Sequence, residues 1–324
     1  MRKVVFSVQS WALKLPFRIT GYTFTEARVL YVTLTENGVT GHGEAVGVYY
    51  LGETGDSMLA QAETVSAALK QGANRKQLQQ LLPPGGARNA IDCALWDLEA
   101  KQGGKSIWDL TGIEAGEIIT VNTVGIGTPD EMAETALTLN TSKIKVKLDG
   151  TIPLERIRAV SAARPDAEII VDVNQGWTFE QLVEFAPQFK ELGIKMIEQP
   201  LPRGDDMALE NYRSPLPLCA DESCLDTSEL EQASRRYQMI NIKLDKTGGL
   251  TEALELARQA QEKGLKLMVG NMIATSLAMA PAFVIAQLCS FVDLDGALFL
   301  VQQREHSMRY TNGQVSIPTP ELWG

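Results

Sequence analysis

Histidine and cysteine are scarce in this chain, and basic clusters and long apolar runs are missing from it. The four cysteines, Cys93, Cys219, Cys224 and Cys289, have no zinc-like spacing, so free buried thiols in a reducing cytoplasm are the expectation. No apolar run approaches the roughly 18 residues that a bilayer span requires. The opening residues, MRKVVFSVQSWALK, alternate as a strand does and hold no signal-peptide core or cleavage site. Thirty basic residues face forty acids, a formal net charge of −10 without any basic patch, which argues against a nucleic-acid or anionic-membrane partner. A GxGxxG phosphate loop is absent, which disfavours an open dinucleotide-binding sheet. Low-complexity stretches that would suggest disorder are absent too.

What is present suffices for one large domain or two: 324 residues, 44% of them apolar. From Met1 to about Val48 the pattern is that of antiparallel strands, with a hairpin signal at Asn37-Gly38. Helical periodicity follows in MLAQAETVSAALK and ARNAIDCALWDLEAKQGG, where Gly103-Gly104 marks a stop. Strand-like runs then begin near Ile118, Ile144, Ile169, Ile194, Leu216, Met239, Leu265 and Ser290, most of them separated by helical stretches. The expected fold is α/β: a modified (β/α)7β TIM barrel over residues 116–296 with an α+β capping domain over 1–115. Residues 297–324, with the hairpin signal RYTNGQVSIP, are expected to return to the cap.

Charged residues recur at the ends of these runs. Lys145 and Lys147 lie in IKVKL, Asp172 in IIVDVN, Glu198 in KMIEQP, Asp221 in LCADES and Lys243 in MINIKL. From Lys145 onward the intervals are 27, 26, 23 and 22 residues, each about one strand–helix unit. All six groups are therefore expected at the carboxyl end of neighbouring strands, where barrel active sites are built. Three unpaired carboxylates converging there would repel one another, and a hard divalent cation relieves that; oxygen-only ligands favour Mg²⁺ over zinc. Lys145 and Lys147, two residues apart, share one face of their strand, and Lys243 comes from across the barrel. Two lysines on opposite sides of a metal-held carboxylate can take a proton from one face and return it to the other. Nearby positive charge should lower the pKa of Lys147 enough for a base.

This constellation resembles the enolase superfamily, and within it the muconate-lactonizing subgroup. Nearly the whole chain shares the likeness, including ARNAIDCALWDLEAK, EQP, ADES and NIKLDKTGG. Neither His42 nor His306 falls on a barrel strand, which disfavours the branches with a catalytic histidine. Asp293 and Asp295, in SFVDLDGALF, end the eighth run two residues apart and can pair with a substrate ammonium group. An Asp-x-Asp at that point resembles the dipeptide epimerases. The resemblance implies Mg²⁺-dependent inversion of the C-terminal residue of an L-Ala-L/D-Xaa dipeptide through an enediolate, as superfamily sites with a Lys base and Mg²⁺ do. It further implies Lys147 and Lys243 as the proton-transfer pair, Lys145 as an electrostatic aid, and Thr123 as a substrate contact.

In that family two cap loops set side-chain specificity, here about Pro16–Thr25 and Gly47–Gly55. Relatives acting on Ala-Glu, a muropeptide-derived dipeptide, carry arginine in the first loop. Arg18 is the only arginine there, while Phe24, Tyr22 and Tyr49 suit a pocket for an apolar side chain. Xaa is thus glutamate or apolar. Other members of the subgroup (o-succinylbenzoate synthase, N-acylamino-acid racemase, cycloisomerase) would use the same lysines without Asp293 and Asp295. A Schiff-base aldolase with Lys243 as nucleophile, or a non-catalytic binding protein, are the alternatives from other classes. A homo-oligomer is left open.

Overall fold

A computed structural model describes residues 1–324. Its first three strands, Lys3–Ile19, Tyr22–Glu36 and Val39–Ala45, form an antiparallel sheet in chain order. The second and third are joined by the two-residue turn Asn37-Gly38, both at positive φ, as the sequence suggests. The long helix Gly86–Gly103 ends at Gly104 in the left-handed conformation and lies directly on this sheet. Gly41 and Gly43 permit that approach. A Cβ on Gly43 would meet the Ala90 carbonyl oxygen at 2.0 Å, and one on Gly41 the Ala94 oxygen at 2.4 Å.

Eight parallel strands follow: Asn122–Val124, Lys143–Lys147, Glu168–Asp172, Ile197–Glu198, Leu218–Ala220, Met239–Ile242, Lys266–Val269 and Phe291–Val292. They pair in chain order. Val121 N–H donates to the Val292 carbonyl at 2.9 Å, bringing the first strand against the eighth and closing the curl. Helices cross between successive strands, the fourth crossover being the short 3-10 turn Met207–Asn211. The fold is therefore the expected α/β barrel with an α+β cap.

One run belongs elsewhere. Ile118–Ile119 is not the first barrel strand; it pairs antiparallel with Gln314–Val315 of the C-terminal hairpin. The barrel strand begins at Asn122, after Thr120 and Val121. Ile-Ile-Thr-Val is one continuous β-prone run, and periodicity cannot divide it between two sheets. The C-terminal segment also touches the cap. Arg304 pairs with the buried Glu44, Trp323 Nε1 donates to the Cys93 carbonyl at 2.9 Å, and Gly324 N donates to Asp97 Oδ1 at 2.7 Å.

Inside the barrel, Val121, Ile170, Met196, Cys219, Met239 and Met268 form a separate buried apolar cluster. Side chains alternate along a strand, so the residue two further on faces the same interior. Two residues after Ile170, Met196 and Cys219 stand Asp172, Glu198 and Asp221. The apolar layer is the floor on which the polar site rests.

Candidate active site

At the carboxyl ends of the strands, lysines and acids interleave. Lys145 Nζ lies 2.9 Å from Asp172 Oδ2, 2.8 Å from Glu198 Oε2 and 2.7 Å from Asp293 Oδ2. Lys147 Nζ donates to Asp172 Oδ2 at 2.6 Å and to Asn174 Oδ1 at 2.9 Å, and Lys243 Nζ donates to Asp221 Oδ2 at 2.6 Å. Each of the three acids expected to hold a metal carries a lysine ammonium: Lys145 and Lys147 on Asp172, Lys145 on Glu198 and Lys243 on Asp221. All of these side chains are buried.

Several partners were not legible in the sequence. Lys246, one turn beyond Lys243, donates to Asp221 Oδ1 at 2.8 Å and to the carbonyls of Cys224 and Asn241 at 3.0 and 2.8 Å. Asn241 Nδ2 donates to Glu198 Oε1 at 2.7 Å. Asn174, in the left-handed region at φ 45°, links Lys147 to Glu222, which is buried beside Asp221. The DVN and ADES segments and the spacing of Lys246 were the available signals; each needs a partner from another strand to acquire meaning.

The charges do not balance. Asp172, Glu198, Asp221, Glu222, Asp293 and Asp295 face Lys145, Lys147, Lys243 and Lys246, leaving acids in excess. Burial pushes Glu198 up to about 7, with the Asp172 charge adding to it. Burial likewise pushes Glu222 up to about 8, helped by Asp221, and Asp295 up to about 8, helped by Asp293. Burial opposes ionisation of Asp172 too, but Lys145, Lys147 and Lys243 hold it at about 2. Burial disfavours the Lys243 ammonium, yet Asp221 and Glu198 outweigh it and keep its pKa above the ordinary lysine value. Glu222 Oε2 and Asp293 Oδ1 are buried without a hydrogen-bond partner, and Glu198 Oε2 has only the Lys145 ammonium, 2.8 Å away. An all-oxygen donor set in which carboxyl groups outnumber ammonium groups fits a hard divalent cation, which would let the raised carboxyls ionise.

Lys147 and Lys243 line one cavity of ≈ 90 Å³ together with Phe24, Tyr49, Glu26 and Asn174. Tyr49 packs edge-on against Phe24 and Tyr22, at 5.2 and 4.5 Å between ring centroids. Arg18 is not in this cavity. Arg18 lines an outer cleft of ≈ 400 Å³ together with Thr123 and with Phe17, which borders both spaces. Asp293 Oδ2 is paired with Lys145, while Asp295 Oδ2 accepts from Thr123 N at 2.7 Å.

Residues 1–112 match the mandelate racemase / muconate lactonizing enzyme N-terminal domain, and residues 130–321 match the family described as enolase C-terminal domain-like. The chain belongs to the enolase superfamily, in the branch those two domains define. It is 46% identical to the L-Ala-D/L-Glu epimerase of Escherichia coli (strain K12), over 98% of this chain and 100% of that one. It is 45% identical to the N-acetyl-D-glutamate racemase of a Pseudoalteromonas species, over 76% of this chain and 79% of that one. A solved structure from Agrobacterium tumefaciens is similar throughout, with a TM-score of 0.98, 40% identity and full coverage of both chains. It is an enolase family member with homology to dipeptide epimerases, and holds bound sodium and L-Ala-L-Glu with an ordered loop.

Proposed function

We propose that this protein is a dipeptide epimerase, an isomerase that inverts the α-carbon of the C-terminal residue in L-Ala-L/D-Xaa dipeptides. The observation that carries the reading is the placement of Lys147 and Lys243, from the second and sixth strands, on one cavity. A neutral lysine amine on one side takes the α-proton, and the ammonium of the other delivers a proton to the opposite face. In the reverse direction the two exchange roles. Asp172, Glu198 and Asp221 would hold Mg²⁺, which when bound would supply Lewis-acid stabilisation of the charge developing on the substrate carboxylate. Lys145, fixed among three acids, adds a positive field without leaving its place. Asp293 and Asp295 receive the substrate ammonium group; the partnerless Asp293 Oδ1 supports this role.

Side-chain preference has two supports that differ. The likeness to Ala-Glu enzymes favours glutamate, whereas the cavity's Phe17, Phe24, Ile273 and Tyr49 favour an apolar Xaa, Arg18 not being among the residues that line it. Racemisation of N-acylated glutamate is the second reading, favoured by the 45% identity to the Pseudoalteromonas enzyme. That reaction gives Asp293 and Asp295 no cation to hold. Four unpaired cysteines support a reducing compartment such as the cytoplasm as the place of action. No helix is long and apolar enough to cross a membrane.

The test is a mass-spectrometric screen of L-Ala-L-Xaa dipeptides and N-acetylated amino acids in D₂O, with and without Mg²⁺. Uptake of one deuterium at the C-terminal residue, dependent on Mg²⁺ and confined to dipeptides, is the expected result. Exchange of the N-acetylated compounds alone would replace the dipeptide reading with the second one.

A further inference from the structure

The segment Val46–Glu53 brings Tyr49 to the cavity wall, and its base is fastened from the barrel. Asp245, two residues beyond Lys243 and 6% exposed, accepts from Val46 N at 3.0 Å and from Gly47 N at 2.8 Å through one oxygen. At the far end of the segment, Glu53 accepts from Val48 N at 2.7 Å and from Gly86 N at 3.1 Å. Gly47 has φ 85°, and a Cβ on it would meet Met58 Sδ at 2.8 Å, so the path of the chain here has little freedom.

The support beneath Asp245 is equally fixed. It lies in the short helix Leu244–Thr247, whose end is clasped by Arg88, donating to the carbonyls of Thr247 at 2.7 Å and Gly248 at 3.1 Å. Lys246 in the same turn is bound to Asp221. Asp245 therefore shifts only if Lys243 and Asp221 shift with it. A carboxylate that takes two backbone N–H groups makes charge-assisted bonds, and its loss leaves both donors unpaired, that of Gly47 in a buried position.

We infer that Asp245 is a positioning residue that sets where Tyr49 stands relative to Lys243. One short segment thus carries a proton-transfer lysine and the anchor of the loop that meets the substrate side chain. Its effect on side-chain selection rests on the dipeptide reading above; its hold on the loop does not.

The experiment compares Asp245→Ala and Asp245→Asn by hydrogen–deuterium exchange of peptides covering residues 46–54 and by kinetics on small and bulky L-Ala-L-Xaa dipeptides. In Asp245→Ala the loop amides should exchange about tenfold faster, while peptides of the Gly86–Gly103 helix keep their protection. KM should rise about tenfold with a smaller change in kcat, and selectivity between the two dipeptides should narrow. Asp245→Asn retains the accepting oxygen and should restore both readouts. Unchanged loop exchange in Asp245→Ala, or a fall in kcat alone with selectivity intact, overturns the inference. Faster loop exchange in a protein that turns over no dipeptide even as wild type supports the anchor and removes the dipeptide reading. Should Asp245→Ala not fold, Asp245→Ser, too short to reach both amides, is read by the same criteria.

Discussion

Lys145 is 1% exposed and surrounded by the carboxylates of Asp172, Glu198 and Asp293, so it has no freedom to leave its place. Removing one member of a buried ion pair costs about 3–5 kcal/mol, and Lys145→Ala should lose that much stability in urea denaturation. Lys147 and Lys243 differ in facing the cavity. On the proposed mechanism, Lys147→Ala and Lys243→Ala should each lower epimerisation by about 10²–10⁴-fold. Each variant should still exchange the α-proton of one substrate epimer, as NMR in D₂O would reveal; full epimerisation by both would refute the two-lysine assignment. These lysines were readable because a strand's period of two and a spacing near one strand–helix unit leave few other placements. Asn174 and Lys246 were not, because their significance lies in partners brought from other strands. Arg18 shows the same limit from the other side: it lines the outer cleft and not the lysine cavity, which a loop read as a whole does not reveal.

Among the elements, the helix Gly86–Gly103 does the joining. It rests on the cap sheet over Gly41 and Gly43 and reaches the barrel through Arg88, Asp92 and Trp96. Asp92 accepts from Thr251 N at 2.9 Å and Thr251 Oγ1 at 2.6 Å. Burial pushes its pKa up to about 6, more than those bonds pull it down. A carboxyl whose pKa is raised on folding contributes stability that is present below the unfolded value of about 3.9 and lost as pH rises through the folded value. Relative to Asp92→Asn, which does not titrate, the wild type should lose about 1–3 kcal/mol between pH 4 and pH 7. Urea midpoints of the two proteins across that range check it, and a constant difference would refute the buried titration. Helical periodicity announces this element plainly, yet its nearly complete burial is unexpected for an amphipathic pattern. The reason is that it is covered on one side by the cap sheet and on the other by the barrel.

Over the whole molecule, the C-terminal segment fastens barrel to cap. Trp323 is 1% exposed and bonds the cap helix at Cys93, and Gln314–Val315 pairs with Ile118–Ile119 beside the first barrel strand. Trp323→Ala removes a large buried side chain and should cost about 3–5 kcal/mol, measured by urea denaturation. Trp323 packs in one apolar cluster with the cap residues Cys93, Trp96 and Ile107 and with the barrel, while the rest of the cap keeps a cluster of its own. The sequence offered a hairpin signal at Asn312-Gly313 but nothing that named its partner strand.

Sequence by itself determined the barrel, its strand order, and which ends carry lysines and acids. Those features follow from short-range periodicity and from the regular length of a strand–helix unit. Tertiary structure decided which carboxylate each lysine holds, that Phe24 and Tyr49 but not Arg18 line the cavity, and that Asp245 accepts from the loop bearing Tyr49. Each of these is a contact between residues far apart in the chain. Side-chain alternation fixes a direction, and only the packed fold supplies what stands there.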